Sequence, residues 1–407
     1  MVIIMIYDVL IIGGGAAGLM AARLLDEASI NYLLLEKNDR VGKKLLISGN
    51  KRCNVTNNLD VESFMNRLTI RNKSFLYPAL YTFGPSQVVR FFKDNGCELV
   101  LENNFKYFPK SNRSQSIIDA IIKPINKARF KFNQVVTSIT KDAETFIVKT
   151  KEQHYHAKTV IVATGSCSFP STGSSGDGLK FANDFGIKYT DFTPAETHIH
   201  SDFIVKEYKQ FQGVAISDTT VQIVGTNKSE QGDVLFTHFG LSGPAIYHLS
   251  EEIYQAIKEG HKSLRFSLSS LPESTVRSML NESDLLIFKQ LAQMTTKRIA
   301  NKILEECHIE NRKIAELSKK QINDVIDMVM RFTVPITKVE DKERAYVNKG
   351  GISLKALNPN SMETKDIPNL FFVGETTNLH GPIGGFNITI AFATAHLAAD
   401  ELIQRLK

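Results

Sequence analysis

A hydrophobic run stops at Gly13-Gly14-Gly15-Ala16-Ala17-Gly18, a Gly-x-Gly-x-x-Gly spacing. That spacing suits phosphate binding. Gly13 permits a tight turn, Gly15 lets the backbone approach a pyrophosphate with no Cβ in the way, and Gly18 lets a helix lie close on a strand. The free N–H groups and positive dipole end of the helix opening at Ala16 and Ala17 then face the phosphates. Glu36 closes a second apolar run, Asn31–Leu35. It stands about 20 residues on, where a carboxylate bonds ribose hydroxyls. Proton chemistry falls to histidine. Of ten, His238 (in Phe236-Thr-His-Phe-Gly240) and His380 (in Leu379-His-Gly-Pro382) sit in glycine-rich loops and are the expected catalytic residues. A hydrogen-bonded structural histidine is the alternative for each. His198-x-His200 has ligand types but no evident third ligand, so no metal is expected.

These residues need elements to hold them. Val2–Ile12 is a β-branched run, which suits a strand buried on both faces of a parallel sheet, and Ala16–Ala28 reads as an Ala- and Leu-rich helix. Val9–Leu25 is nearly all apolar, but its three consecutive glycines speak against a spanning helix and the start lacks the cations of a signal peptide, so no membrane insertion is expected. From Lys37 to Asn57 the chain is full of Gly, Ser, Asn and cations. An extended loop of that kind suits a ligand longer than a pyrophosphate. Its candidate binding residues are Lys37, Lys43, Lys44, Ser48, Gly49, Arg52, Cys53 and Asn54.

Further along, Thr159–Ala163 is a strand ending in Ala163-Thr164-Gly165, with Gly173-Ser-Ser-Gly-Asp177-Gly178 after it. Phe130–Val136 and Glu144–Thr150 alternate like strands, and Asn369–Gly374 is a buried strand ending at Gly374-Glu375. Gly384–Ala399 is a glycine turn opening an Ala-rich helix. An insert starts near Thr193-Pro194-Ala195. Val214–Val224, Asp233–Thr237 and Lys262–Leu268 are strand-like, and Pro244–Lys258 is helical. From Glu282 to Phe332 apolar residues recur at helical spacing, as in Leu285, Leu286, Phe288, Leu291, then Ile299, Ile303, Leu304, then Ile322, Val325, Ile326, Val329.

The chain has 407 residues, 43% hydrophobic and 23% charged, which excludes a disordered or collagen-like polymer. The net charge is +6 with no tract of like charges, so charge gives no argument for a nucleic-acid partner. Four scattered cysteines (Cys53, Cys97, Cys167, Cys307) with no Cys-x-x-Cys point to reduced thiols in a cytoplasmic protein. No second glycine fingerprint occurs in strand–helix context, so NAD(P)H as a transient electron donor would have to enter an open cleft.

The blocks GGGAAGLMAA, LLEKN and GKKLLISGNKRCNVTN, with Phe236–Pro244, Ala345–Gly351, Met362–Lys365, Leu370–Glu375 and Gly384–Asn387, together resemble the BaiN/YhiN-like family of bacterial FAD-dependent flavoproteins. The resemblance spans essentially the whole chain. It implies an α/β fold with a Rossmann-like FAD-binding domain split between residues 1–192 and 345–407, an inserted β-rich, barrel-like domain at 193–270 and 333–344, and a small helical domain at 271–332. It implies one non-covalent FAD. Val135 would meet the adenine through backbone groups, and Glu375 would lie by the ribityl or pyrophosphate region. Gly385, Phe386 and Asn387 would lie at the pyrimidine edge of the flavin, with Ala163, Thr164, Gly165, Asp177 and Gly374 in the same cradle. The implied activity is hydride transfer between flavin and an organic substrate, as in reduction of a conjugated C=C bond of a hydrophobic, steroid-like molecule. The alternatives are a flavoenzyme acting on RNA and a redox-sensing flavoprotein. Two positions depart from the family pattern: Asn50-Lys51 replace two glycines, and His380 stands where the family often has Asp.

Overall fold

The apolar run before the glycines forms the strand Ile6–Ile12, and its Val9–Ile12 half is buried. A computed structural model describes residues 5–103, 105–281 and 284–407; residues 2–4 of the expected first strand, and residues 282–283 at the start of the expected helical stretch, lie outside the described residues. This first strand pairs in parallel with Tyr32–Leu35 on one side and with His154–Val162 on the other. Phe130–Lys131 continues the parallel sheet beyond Tyr32–Leu35. His154–Val162 has two neighbours on its far side. Its first part takes the antiparallel hairpin of Val136–Asp142 and Thr145–Thr150, and its last part takes Leu370–Phe372 in parallel.

The register decides where a ligand can sit. Ile12 is level with Leu35 and with Val162, and Val162 is level with Phe372. Four parallel strands therefore end at one sheet edge, and the residues that follow them are Gly13, Glu36, Ala163 and Val373-Gly374. In open α/β sheets that edge is the ligand crevice. The helix Ala16–Glu27 packs against the long C-terminal helix Phe386–Leu406, so the first and last elements of the chain meet. This unit comprises residues 1–193 and 342–407. Between residues 56 and 109 it holds a small antiparallel sheet that the sequence does not predict (Thr56–Asn57, Lys106–Pro109, Leu99–Glu102). The same unit forms the helices Val61–Arg67, Tyr77–Phe83, Pro85–Asp94 and Gln115–Ile122.

The second unit is Pro194–Asp341. Its sheet runs in the order Phe332–Pro335, Ser263–Phe266, Ala215–Ile223, Ser229–Phe236, Gly240–Ser242, Ile199–His200, Lys338–Val339. The two ends of that order are consecutive pieces of one extended run, 332–339, so the sheet returns on itself in barrel-like fashion. Phe332 is 3% exposed, with the rings of Tyr208, Phe211, Phe236 and Phe266 5.0–6.4 Å away. The helices Glu273–Asn281, Ile287–Met294, Lys297–Glu306 and Lys319–Met330 share this buried cluster with the strands, and residues 271–332 group with them in one unit. Ile303, Val325 and Val329 are buried as their spacing predicts. Leu286 is a correction: it sits at the N-cap of Ile287–Met294 and is 44% exposed.

Candidate functional site

The glycine turn is fixed by close approach. Gly13 has φ +104°, and a Cβ there would lie 2.5 Å from the Ala163 carbonyl oxygen. A Cβ on Gly18 would lie 1.9 Å from the Gly13 oxygen. Gly15 differs, because a Cβ there would meet nothing within 4 Å. Its backbone faces open space at the N-terminus of Ala16–Glu27, which has no side-chain cap and no acid in its first turn. Elsewhere Asp60, Ser201, Thr296 and Ser318 cap their own helices. An uncapped helix start leaves N–H donors and the positive dipole end for an anion.

Glu36, 7% exposed, stands beside this turn. Its Oε2 accepts from the Gly14 N–H (2.7 Å), and its Oε1 accepts from the Asn38 N–H (2.8 Å) and Nδ2 (2.6 Å). A carboxylate has about four acceptor sites, so ribose hydroxyls can still bond it. The Glu36 carbonyl accepts from the Gln134 N–H at 2.9 Å, which brings Val135 to the same edge. Lys37 bonds Asp177 and Ser175, both at 2.5 Å, while Lys43 pairs with Asp39 at 2.8 Å. Lys44 joins Glu375 and the Ser168 hydroxyl, each at 3.0 Å, and so ties the cation-rich loop to Gly374-Glu375. Arg52 is engaged elsewhere, with Glu102, Asn112 (2.8 Å) and the Phe108 ring (4.3 Å).

The loop carrying Arg52 has a left-handed backbone. Gly49, Asn50, Lys51 and Cys53 have φ of +52°, +55°, +67° and +63°. Ser48 donates its hydroxyl to the Leu45 carbonyl at 2.8 Å. Burial pushes the Cys53 thiol up to about 12, and burial also raises Cys167, whose Sγ donates to Asn348 Oδ1 at 3.3 Å. Both are packed thiols, not thiolate nucleophiles. Asn54 donates to the carbonyls of Thr56 and Tyr107 (3.1 and 3.2 Å), but its Oδ1 is buried with no protein partner, as is Thr164 Oγ1. Next to Thr164, the Gly165 N–H donates to Thr376 Oγ1 at 2.9 Å.

The C-terminal helix repeats the arrangement of the first. Gly385, φ +83°, is its N-cap with no side-chain cap, and the first turn carries no acid. A Cβ on Gly385 would lie 2.5 Å from the backbone of Thr56. Gly374, φ +64°, donates its N–H to Thr394 Oγ1 at 2.9 Å. The buried Phe386 ring packs 4.5 Å from Phe64, so this side chain belongs to the core while its backbone opens the helix. Asn387 accepts from the Gly381 N–H (2.9 Å) and donates to the Gly381 carbonyl (2.7 Å). That double bond clamps the loop in which His380 sits, 6% exposed. His238 lies in the other unit, in an exposed turn between Ser229–Phe236 and Gly240–Ser242. The structure also brings Glu340 against His198 and His200, which corrects the expectation that this pair lacks a third ligand. Three further residues were not singled out as site residues: Asn38, which orients Glu36, and Asn57, whose amide bonds the Gly384 carbonyl at 3.1 Å, each end a family-like block, while Thr376 lies in none.

An open cradle at Gly15, two uncapped helix starts and two buried partnerless oxygens fit a dinucleotide that continues into a flavin. A Rossmann-domain model of the HI0933-like protein family matches residues 7–401. The chain belongs to the HI0933-like family. It is an FAD-dependent oxidoreductase with the Rossmann-type cofactor domain of that family. It is 27% identical over 415 residues to the ribosomal RNA dihydrouridine synthase of Escherichia coli, covering 98% of each chain. It is 26% identical over 413 residues to the 3-dehydro-bile acid delta(4,6)-reductase of Clostridium scindens, covering 97% of this chain and 98% of the relative. Among solved structures, the 3-ketosteroid delta1-dehydrogenase of Sterolibacterium denitrificans shares the fold with a TM-score of 0.52 and 12% identity, over 98% of this chain and 99% of that one. Among the described residues no helix is long and apolar enough to cross a membrane.

Proposed function

We propose that the chain adds hydrogen across a carbon–carbon double bond conjugated to a carbonyl, with NAD(P)H as electron donor. The observation that carries this reading is the loop holding the buried His380, clamped by Asn387 and running into the uncapped start of Phe386–Leu406. FAD, when bound, supplies the hydride. The cradle at Gly15 and the start of Ala16–Glu27 hold its pyrophosphate, and Glu36 and Val135 hold its adenosine end. The helix start at Gly385 offers a positive dipole end where negative charge must be held. A substrate that gains hydride at one carbon leaves enolate-like charge on its partner. In this reading His380 gives the proton there, histidine being the side chain that most often serves as general acid. His238, exposed in the second unit, is a further proton donor in this reading.

A hydrophobic, steroid-like enone is the first substrate class, supported by the name of the Clostridium scindens relative. Uridine in RNA is the second, favoured by the names of the Escherichia coli and Haemophilus influenzae relatives. Both are reductions of a ring double bond next to a carbonyl. Four free thiols support a cytoplasmic location. The test is anaerobic. The yellow protein is bleached with NADH or NADPH, then mixed with a conjugated steroid enone or with ribosomal RNA, while flavin absorbance and a +2 Da product are followed. Return of colour with a saturated product supports the reading and identifies the class. Absence of bleaching by both nicotinamides, or no product from either substrate, overturns it.

A further inference from the structure

We infer that His198, His200 and Glu340 form a site for one divalent first-row cation, of the zinc or cobalt type, in the second unit. The strand register assembles it. His198 and His200 are two residues apart, so their side chains leave the same face of the sheet. Ile199 is paired with Val339 and His200 with Lys338, which sets Glu340 opposite His198. The Glu340 N–H donates to the His198 carbonyl at 3.2 Å and extends that pairing by one residue. Glu340 Oε2 then lies 3.0 Å from His198 Nε2 and 3.3 Å from His200 Nε2, and the three ligand atoms all fall within 4.8 Å of one another.

Those spacings are close to what a small cation requires. With bonds of about 2.0–2.1 Å in a tetrahedral site, ligand atoms stand roughly 3.4 Å apart. The carboxylate needs to draw back from each imidazole only slightly for an ion to take the place of the hydrogen bonds that now join them. Two imidazole nitrogens and one carboxylate suit a borderline cation such as Zn²⁺, whereas Mg²⁺ and Ca²⁺ take oxygen ligands.

The surroundings are arranged as a metal site needs. The Glu340 side chain is 5% exposed, and its other oxygen, Oε1, accepts from the Asp341 N–H at 2.8 Å, which fixes the carboxylate plane. The Phe239 ring lies tilted against both imidazoles, 4.2 Å from His198 and 5.5 Å from His200, and walls one side. The imidazoles are 16% and 25% exposed, which leaves an entry path and a fourth position for water. A bound ion would cross-link Ile199–His200 to Lys338–Val339, the pairing through which the sheet returns on itself.

The full-length flavoprotein, freed of metal by chelation, is dialysed against Zn²⁺ and its metal content measured by mass spectrometry, with Co²⁺ difference spectra in parallel. The expected result is one zinc per chain and the visible bands of tetrahedral cobalt. His200→Ala and Glu340→Gln each weaken binding by at least about tenfold, with flavin content and circular dichroism unchanged. His248→Ala, an exposed histidine of the same unit, keeps full binding. No zinc above background in the wild-type protein, or wild-type stoichiometry and spectra in both variants, overturns the site. Zinc lost to the same degree in His248→Ala also overturns it.

Discussion

The cofactor edge of the first unit and the histidine–glutamate cluster of the second are built by opposite routes. At the edge, chemistry follows each strand immediately: Gly13 after Ile12, Glu36 after Leu35, Ala163 after Val162. The glycines are there because a Cβ would strike backbone, as at Gly13 and Gly18, or would fill the space a ligand needs, as at Gly15. In the second unit Glu340 stands 140 residues from His200 and meets it only through strand pairing. Local spacing therefore announces the first site and is silent about the second.

The sharpest way to separate the two regions is to damage one core. Phe332→Ala removes the ring on which Tyr208, Phe211, Phe236 and Phe266 converge, and should cost about 3–5 kcal/mol. Calorimetry should show the loss in the transition of the second unit, with FAD still bound to the first. Release of FAD in proportion to the loss would mean the units are not separable in this way. Within the cofactor unit, His380→Asn should keep FAD and its bleaching by NAD(P)H but slow the substrate-dependent return of colour by roughly 10²-fold. Stopped-flow measurement at the wild-type rate would remove His380 from the mechanism.

A smaller effect concerns how the cofactor unit holds its last helix. Arg405 forks onto Glu363 at 3.0 and 2.5 Å, and the Asn369 N–H donates to the same carboxylate at 2.7 Å. Burial alone would raise Glu363, but these partners outweigh it and its carboxyl lies below the usual value. A carboxyl depressed by folding stabilises the protein above its unfolded pKa, near 4.3, and loses that contribution as pH falls through the folded value. Glu363→Gln should thus cost about 1–2 kcal/mol at neutral pH, and the gap in melting temperature should close as pH drops below about 4. Smallest of all, Lys51→Gly should stabilise by about 1 kcal/mol, because lysine there holds φ +67° where the family has glycine. A fall in melting temperature would show that the Lys51 side chain makes up for its backbone.

The parts of the fold that were legible are those set by local rules. The helix Pro244–Lys258 was readable from its apolar spacing and its proline at the first turn, and the first strand and helix from the glycine turn between them. Residues 58–129 were not read as elements, although Pro85–Asp94 is amphipathic and opens at a proline; their four-residue strands are too short for alternation to show. Leu286 fits a helical stripe but falls on the cap, where the helix has not yet turned its face inward. At the site, Glu36 and the glycines were legible from spacing. Asn38, Thr376 and Asn57 were not, since each acts by orienting a backbone or carboxylate group that only the folded chain brings near. Arg52 was chosen for its charge, yet Glu102, fifty residues away, takes that charge.

The central claim is that the open backbone at Gly15 is where the FAD pyrophosphate lies. Gly15→Val tests it most directly, because a Cβ there meets no protein atom within 4 Å and the substitution should therefore leave the fold intact. Heat-released supernatant from the wild-type protein should contain one FAD per chain. The variant should purify folded by circular dichroism but colourless, with almost no FAD released. A folded Gly15→Val protein that keeps its full complement of FAD would contradict the account.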